Sequence, residues 1–210
     1  MHEGPDSIAL FFAEAGFEVW ANNTRGNLHS RNHKYLHADH DPEFWHWSFQ
    51  ELGRYDQPAF LEYVREQTDQ EKVTYLGHSQ GGTQILSGLA ENADFYKDRV
   101  NLFMMLGPAS RLDRNKHPNL LWACYSNEAT PSIVQAPEFF SPRIAKILAP
   151  FNVEYPAVRL ICDQDPSKCS ELGLHNIGGH YQAGTSVRSI THFRQILQAK
   201  RFQFYDYGSE

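Results

Sequence analysis

Gly77-His78-Ser79-Gln80-Gly81 is the run whose residue types and spacing could do covalent chemistry. It follows the apolar stretch Lys72 to Leu76, which reads as a strand, and opens a helical pattern from Gln80 to Ala90. A sharp strand-to-helix turn would hold the serine in strained backbone geometry and leave its hydroxyl exposed above a sheet. Small residues are expected on either side, because such a turn leaves no space for a Cβ, and Gly82 extends this into the helix start. Ser79 is therefore the candidate nucleophile. The Gln80 N–H, at a helix N-terminus, is the candidate donor to a developing oxyanion. A serine hydroxyl attacks well only when an imidazole takes its proton and an acid orients that imidazole. Asp163, Asp165 and Asp206, with His175, His180 and His192, follow in the chain, yet none comes after a convincing strand. His78 adjoins the serine on a turn that points neighbours apart, so it is expected to pack beside the turn rather than act as the base.

The elements that must position this run are alternating. Ser7 to Ala15 reads as a helix capped by Ser7 and ended by Gly16, and Phe17-Glu18-Val19-Trp20 as a strand. Pro42 opens a helical region carrying Phe44, Trp45, Trp47 and Phe49, a second helix runs from Pro58 to about Glu66, and Val100 to Leu106 is another strand. This order implies an α/β fold, a parallel sheet with helices on both faces. After Pro108 the rhythm changes. Residues 109–200 are rich in Pro, Asn, Ser and Gly, and their periodic segments, such as Ile133 to Phe151, are helical. The expected organisation is a core over 1–108, a mostly helical insertion over 109–200, and a return to the core over 201–210.

Several functions are excluded by composition. With 210 residues, a net charge of −6 and scattered Lys and Arg, the chain lacks the clustered basic footprint of a nucleic-acid surface. No apolar run reaches membrane-span length, and a soluble protein is expected. Met1-His2-Glu3-Gly4-Pro5-Asp6 carries two acids and no Lys or Arg, the reverse of a secretory signal. Cys124, Cys162 and Cys169 show no zinc spacing; Cys162 and Cys169 could close a short loop or stay as free thiols.

His29, His33, His37 and His40 are spaced to line one helix face, where they could hold zinc or nickel, but the interleaved Asn27, Ser30, Asn32 and Asp39 favour an exposed loop. Asn22-Asn23-Thr24 is a glycosylation sequon in a stretch that reads as a structural turn. Trp45, Trp47 and Phe49 are expected in the core of a helix against the sheet.

Taken together, Ala15 to Trp20, Asn23 to Asn27, Phe44 to Phe49, Tyr55 to Ala59, Gly77 to Gly81, Ala183 to Val187 and Tyr205 to Ser209 resemble the acid lipases. That family includes gastric and lysosomal lipases and related sterol esterases with an α/β-hydrolase core. The resemblance covers nearly the whole chain, with Gln182 standing where the family usually has Pro. It implies a secreted or lysosomal serine esterase acting on triacylglycerols or sterol esters at a lipid–water interface, needing no metal or organic cofactor, with the insertion as a cap over the acyl site. Only Ser79 and the Gln80 N–H carry over; the family's triad Asp and His lie beyond Tyr205-Asp206-Tyr207-Gly208, and its His-Gly oxyanion segment lies ahead of the helix at Ser7. The resemblance thus implies a fragment, itself a poor catalyst. Two other readings stay open: another capped esterase or thioesterase, and a non-catalytic lipid-binding remnant.

Overall fold

Val73–His78 (β1) and Val100–Leu106 (β2) run parallel, paired from Thr74↔Leu102 through His78↔Leu106. The computed structural model describes residues 7–113, 138–139 and 183–208. Of these, 7–23 and 183–184 belong to one compact unit, and 24–113, 138–139 and 185–208 to another. In the first unit, Ile8–Glu14 forms α1, its Ser7 hydroxyl accepting from the Leu10 N–H at 3.2 Å. Gly16, at φ +90°, ends it. Phe17 to Trp20 has the alternation of a strand but pairs with no strand among the described residues, and so carries no ladder. Side-chain alternation selects a face; only a neighbouring backbone makes a strand.

The second unit holds the remaining elements. Pro42–Trp45 is a single 3-10 turn rather than a longer helix. The chain doubles back there, with the Trp47 N–H bonded to the Trp45 carbonyl, and restarts at Ser48. Ser48 and Glu51 form a reciprocal capping box that opens Phe49–Glu51 (α2). Leu52–Asp56 then widens into a π-helical turn before Gln57–Thr68 (α3), so the two helices expected here are one broken rod. The wide turn lays Gly53 against Gln80–Glu91 (α4), where a Cβ on Gly53 would lie 2.2 Å from the Gln84 carbonyl oxygen. Ala93–Lys97 (α5), capped by Asn92, has no counterpart in the sequence reading.

Two cores result. Leu61, Tyr75, Ile85, Tyr96 and Val100 join β1, β2 and the helices around them. Phe44, Trp45, Trp47, Phe49 and Leu52 form the other with Ile196, which lies on Val187–Ala199 (α6). The Trp45–Phe49 aromatics are thus buried as expected. Their cover, however, comes from α6 and its partly buried Phe193 together with Phe202, rather than from the sheet. Two short strands, Glu138–Phe139 (β3) and Thr185–Ser186 (β4), pair antiparallel just ahead of α6. Residues 185–200, grouped by composition with the insertion, therefore belong to the compact unit that carries Ser79.

The short motifs of the sequence meet at residues 45–56. The Arg25 backbone N–H and guanidinium both bond the Asp56 carboxylate, at 2.8 Å and 2.7 Å. Gly26 has φ +78°, and a Cβ there would lie 2.6 Å from Trp47 and 2.7 Å from Trp45, so no other residue fits. The Ser186 hydroxyl donates to the Trp47 carbonyl. The Tyr205 N–H donates to Gln50 Oε1 at 2.8 Å, and the Tyr207 hydroxyl to Glu51 Oε1 at 2.6 Å.

Candidate functional site

Ser79 joins β1 to α4 with φ 52° and ψ −116°, a conformation that costs a non-glycine residue of order 1–3 kcal/mol. The surrounding backbone imposes it. The Ser79 N–H donates to the Leu106 carbonyl at the end of β2, at 2.9 Å, while its own carbonyl accepts from Gly82 N–H at 3.1 Å and Thr83 N–H at 3.2 Å. Thr83 Oγ1 adds a third bond to that oxygen at 3.2 Å. With the main chain held on both sides, the side chain is exposed, and no described residue bonds its hydroxyl. Gln80 is the first residue of α4, so its N–H lacks an intrahelical acceptor, and it bonds no other described residue.

The glycines divide the work differently from expectation. A Cβ on Gly77 would lie 2.7 Å from Gly81 C and Gly82 N, and one on Gly82 would lie 2.8 Å from Pro108 Cβ. A Cβ on Gly81 would find nothing nearer than the Tyr75 hydroxyl, at 3.9 Å. The tight pair is therefore Gly77 and Gly82, because α4 turns the Gly81 Cα away from the sheet. Gly81→Ala is expected to leave the fold intact and to stabilise it by about 0.5–1 kcal/mol through helix propensity, read as a rise in the urea midpoint. Tyr75, buried on β1, donates to the Gly81 carbonyl at 2.9 Å and so fastens the first turn of α4 to the strand; burial pushes its phenol pKa up.

His78 pairs in register with Leu106 and is exposed, so it does not pack beside the turn as expected. His192 does not approach Ser79 either. It is fully buried, with Nδ1 3.1 Å from Ser48 Oγ and Nε2 2.9 Å from the Gln203 carbonyl. Burial drives its pKa down to about 4, against the opposing pull of the Gln203 carbonyl and the Glu51 charge. Ser48, His192 and Glu51 share the residue types of a hydrolytic triad, but the acid touches the serine instead of the imidazole, and Ser48 is 1% exposed. No substrate reaches it. The signal for this cluster was present in the sequence as the Ser48-Phe49-Gln50-Glu51 capping box. The Asp206 carboxylate accepts from its near neighbour, the Gly208 N–H, and from no imidazole among the described residues.

Asp163, Asp165, His175, His180, Gln182 and all three cysteines lie outside the described residues, as does the Ile133 to Phe151 segment apart from Glu138–Phe139, which form strand β3 where a helix was expected. The His29 to His40 stretch is a series of turns, not a helix, so its histidines do not share one face. His33 Nδ1 accepts from the Tyr35 and Leu36 N–H groups, His37 Nδ1 from that of Asp39, and the His37 and His40 rings stack at 4.4 Å. No group of three metal-ligating side chains occurs among the described residues. Asn22 of the sequon is exposed. No described helix is long and apolar enough to cross a membrane.

A strained, exposed serine between a parallel strand and a helix N-terminus is the architecture of the α/β hydrolases. Residues 2–133 match the family described as alpha/beta hydrolase fold, and the chain belongs to that family. Its relatives include human Lipase member J, 31% identical over 97% of this chain and 58% of that protein. Human lysosomal acid lipase/cholesteryl ester hydrolase is 30% identical over 97% of this chain and 53% of its own length. Human gastric triacylglycerol lipase is 28% identical over the same two shares. The chain spans about half the length of the curated relatives it matches.

Proposed function

We propose that this chain carries the nucleophile of a serine carboxylic-ester hydrolase acting on triacylglycerols or sterol esters. The observation that carries the reading is Ser79, held at φ 52° on an exposed turn beside a helix N–H that bonds no described residue. The names of the relatives, which include triacylglycerol and cholesteryl ester hydrolases, support the substrate class. In this reading Ser79 Oγ attacks the ester carbonyl while its proton passes to an imidazole, and the Gln80 N–H stabilises the oxyanion. The alcohol leaves with that proton, and water, deprotonated by the same imidazole, releases the acid and restores the serine. An apolar acyl chain and a lipid–water interface suit the insertion as a cap, and a secreted or lysosomal setting follows the gastric and lysosomal relatives.

The base and its acid are assigned outside the described residues, since no described imidazole bonds the Ser79 hydroxyl. Ser79→Ala is expected to abolish hydrolysis of a soluble nitrophenyl ester and of a triacylglycerol emulsion alike. The protein expressed from its full transcript is expected to hydrolyse both. Robust turnover by the 210-residue chain that disappears with Ser79→Ala would place the whole catalytic set within it, whereas no turnover from the full transcript product would sink the esterase reading.

A further inference from the structure

The His192–Ser48–Glu51 chain is one hydrogen short. The Gln203 carbonyl only accepts, so His192 Nε2, 2.9 Å away, must carry a hydrogen. In a neutral ring Nδ1 is then an acceptor, and it lies 3.1 Å from Ser48 Oγ. That hydroxyl is also 3.0 Å from Glu51 Oε2. Both neighbours call for the single Ser48 hydrogen. Glu51 draws its other bonds from the Ser48 N–H at 2.6 Å and the Tyr207 hydroxyl at 2.6 Å. One proton added at Nδ1 would complete the chain, with His192 donating to Ser48 and Ser48 to Glu51. The ring is nevertheless fully buried and stacked 3.8 Å from Phe49, where a charge is costly.

The groups that face His192 are few. Glu51 comes from the capping box, Tyr205 meets the ring edge-on at 5.3 Å, and Tyr207 reaches it through Glu51. Arg188 and Arg194, on the same helix, act on Tyr205, as does Asp206. Burial raises both phenols, Tyr207 to about 12, so neither ionises near neutrality. Burial raises the Glu51 carboxyl, but the bonds from Tyr207 and Ser48 outweigh it and hold the group below its usual range. His192 is therefore the group in this cluster placed to respond to mild acid.

We propose that His192, Ser48, Glu51 and Tyr207 form an acid-released clasp, which fastens α6 and residues 203–207 onto the Ser48–Glu51 turn at neutral pH and lets them open as pH falls. When the clasp opens, His192 meets solvent and takes a proton with ordinary histidine affinity; closed, it resists protonation down to about pH 4. The sign is fixed by linkage. A depressed histidine pKa leaves stability full above the unfolded value near 6.5 and removes it progressively down to about 4, where the loss levels off. The open-to-closed ratio should therefore rise as pH falls through that window, some 30-fold by pH 5 and about 160-fold by pH 4. This proposal does not depend on the esterase reading.

Two measurements on the 210-residue chain test it. Nitrogen-resolved NMR of the His192 ring should show the Nε2–H tautomer at pH 7.5 and a titration midpoint near 4. Amide exchange of residues 187–207, corrected for intrinsic rate, should show opening that rises about 160-fold from pH 7.5 to 4, with a much smaller rise in His192→Gln. A midpoint between 6 and 7, or an Nδ1–H tautomer at neutral pH, would overturn the clasp. So would equal pH dependence of opening in the parent chain and His192→Gln, which would leave His192 a packing residue only.

Discussion

Replacing Ser79 by alanine is expected to lower ester hydrolysis by about 10⁴- to 10⁶-fold in kcat wherever the full catalytic set is assembled. KM should move little, because the hydroxyl makes its decisive interaction in the transition state. The same position offers a second readout. Its φ of 52° and ψ of −116° suit glycine better than any residue with a Cβ. Ser79→Gly should therefore be as inactive as Ser79→Ala yet more stable than it by about 1 kcal/mol, measured as a difference in urea midpoint at equal slope. An active Ser79→Ala protein would remove the serine from the chemistry. A glycine variant less stable than the alanine one would show that the turn is not strained.

The second large effect lies far from the serine. Gly53→Ala is expected to destabilise the fold by about 3 kcal/mol or more, because the added methyl meets backbone that cannot yield. Its Cβ would lie 2.2 Å from the Gln84 carbonyl oxygen and 2.8 Å from the Gly88 nitrogen. Gly88 is equally confined, with a Cβ position 2.2 Å from the Tyr96 hydroxyl, which itself donates to the Gly53 carbonyl. Because α4 rests on this crossing, the variant should lose cooperative unfolding in denaturant instead of showing a local change. A Gly53→Ala protein with an unshifted urea midpoint would mean the π-helical turn repacks freely.

The serine turn was readable from the chain because its signals are local. Val100 to Leu106 has the bounds expected of it, and α4 begins at Gln80 and runs to Glu91 against an expected end at Ala90. Apolar alternation, a glycine on each side and a helical period lie within a few residues of one another there. Gly53 gave a weaker sign, a lone glycine in a helical pattern, which marks a close backbone approach without naming the partner. The chemical capacity of His192 was plain from its residue type, but its engagement away from Ser79 was not. Its two partners, Ser48 and the Gln203 carbonyl, depend on a packing arrangement that no short window contains. Phe17 to Trp20 failed for the opposite reason: the local pattern was sound, but a ladder needs a second backbone.

The meeting of distant segments at residues 45–56 also dictates an order of assembly. The β1–β2 ladder and the Ser79-to-Leu106 bond join positions about 27 apart, at little loop-closure cost. By contrast, the bonds from Ser186, His192 and Tyr207 to the 47–51 stretch close separations of 139, 144 and 156 residues. Such long closures form late and slowly. On a ribosome the strand–serine–helix unit can therefore be in place roughly ninety residues before α6 has been made, while Trp47 and Phe49 still await their cover. That interval, rather than the finished fold, is when this chain most needs a chaperone. Slowing translation between Leu106 and Val187 should accordingly lower its soluble yield more than the same delay placed after Tyr207.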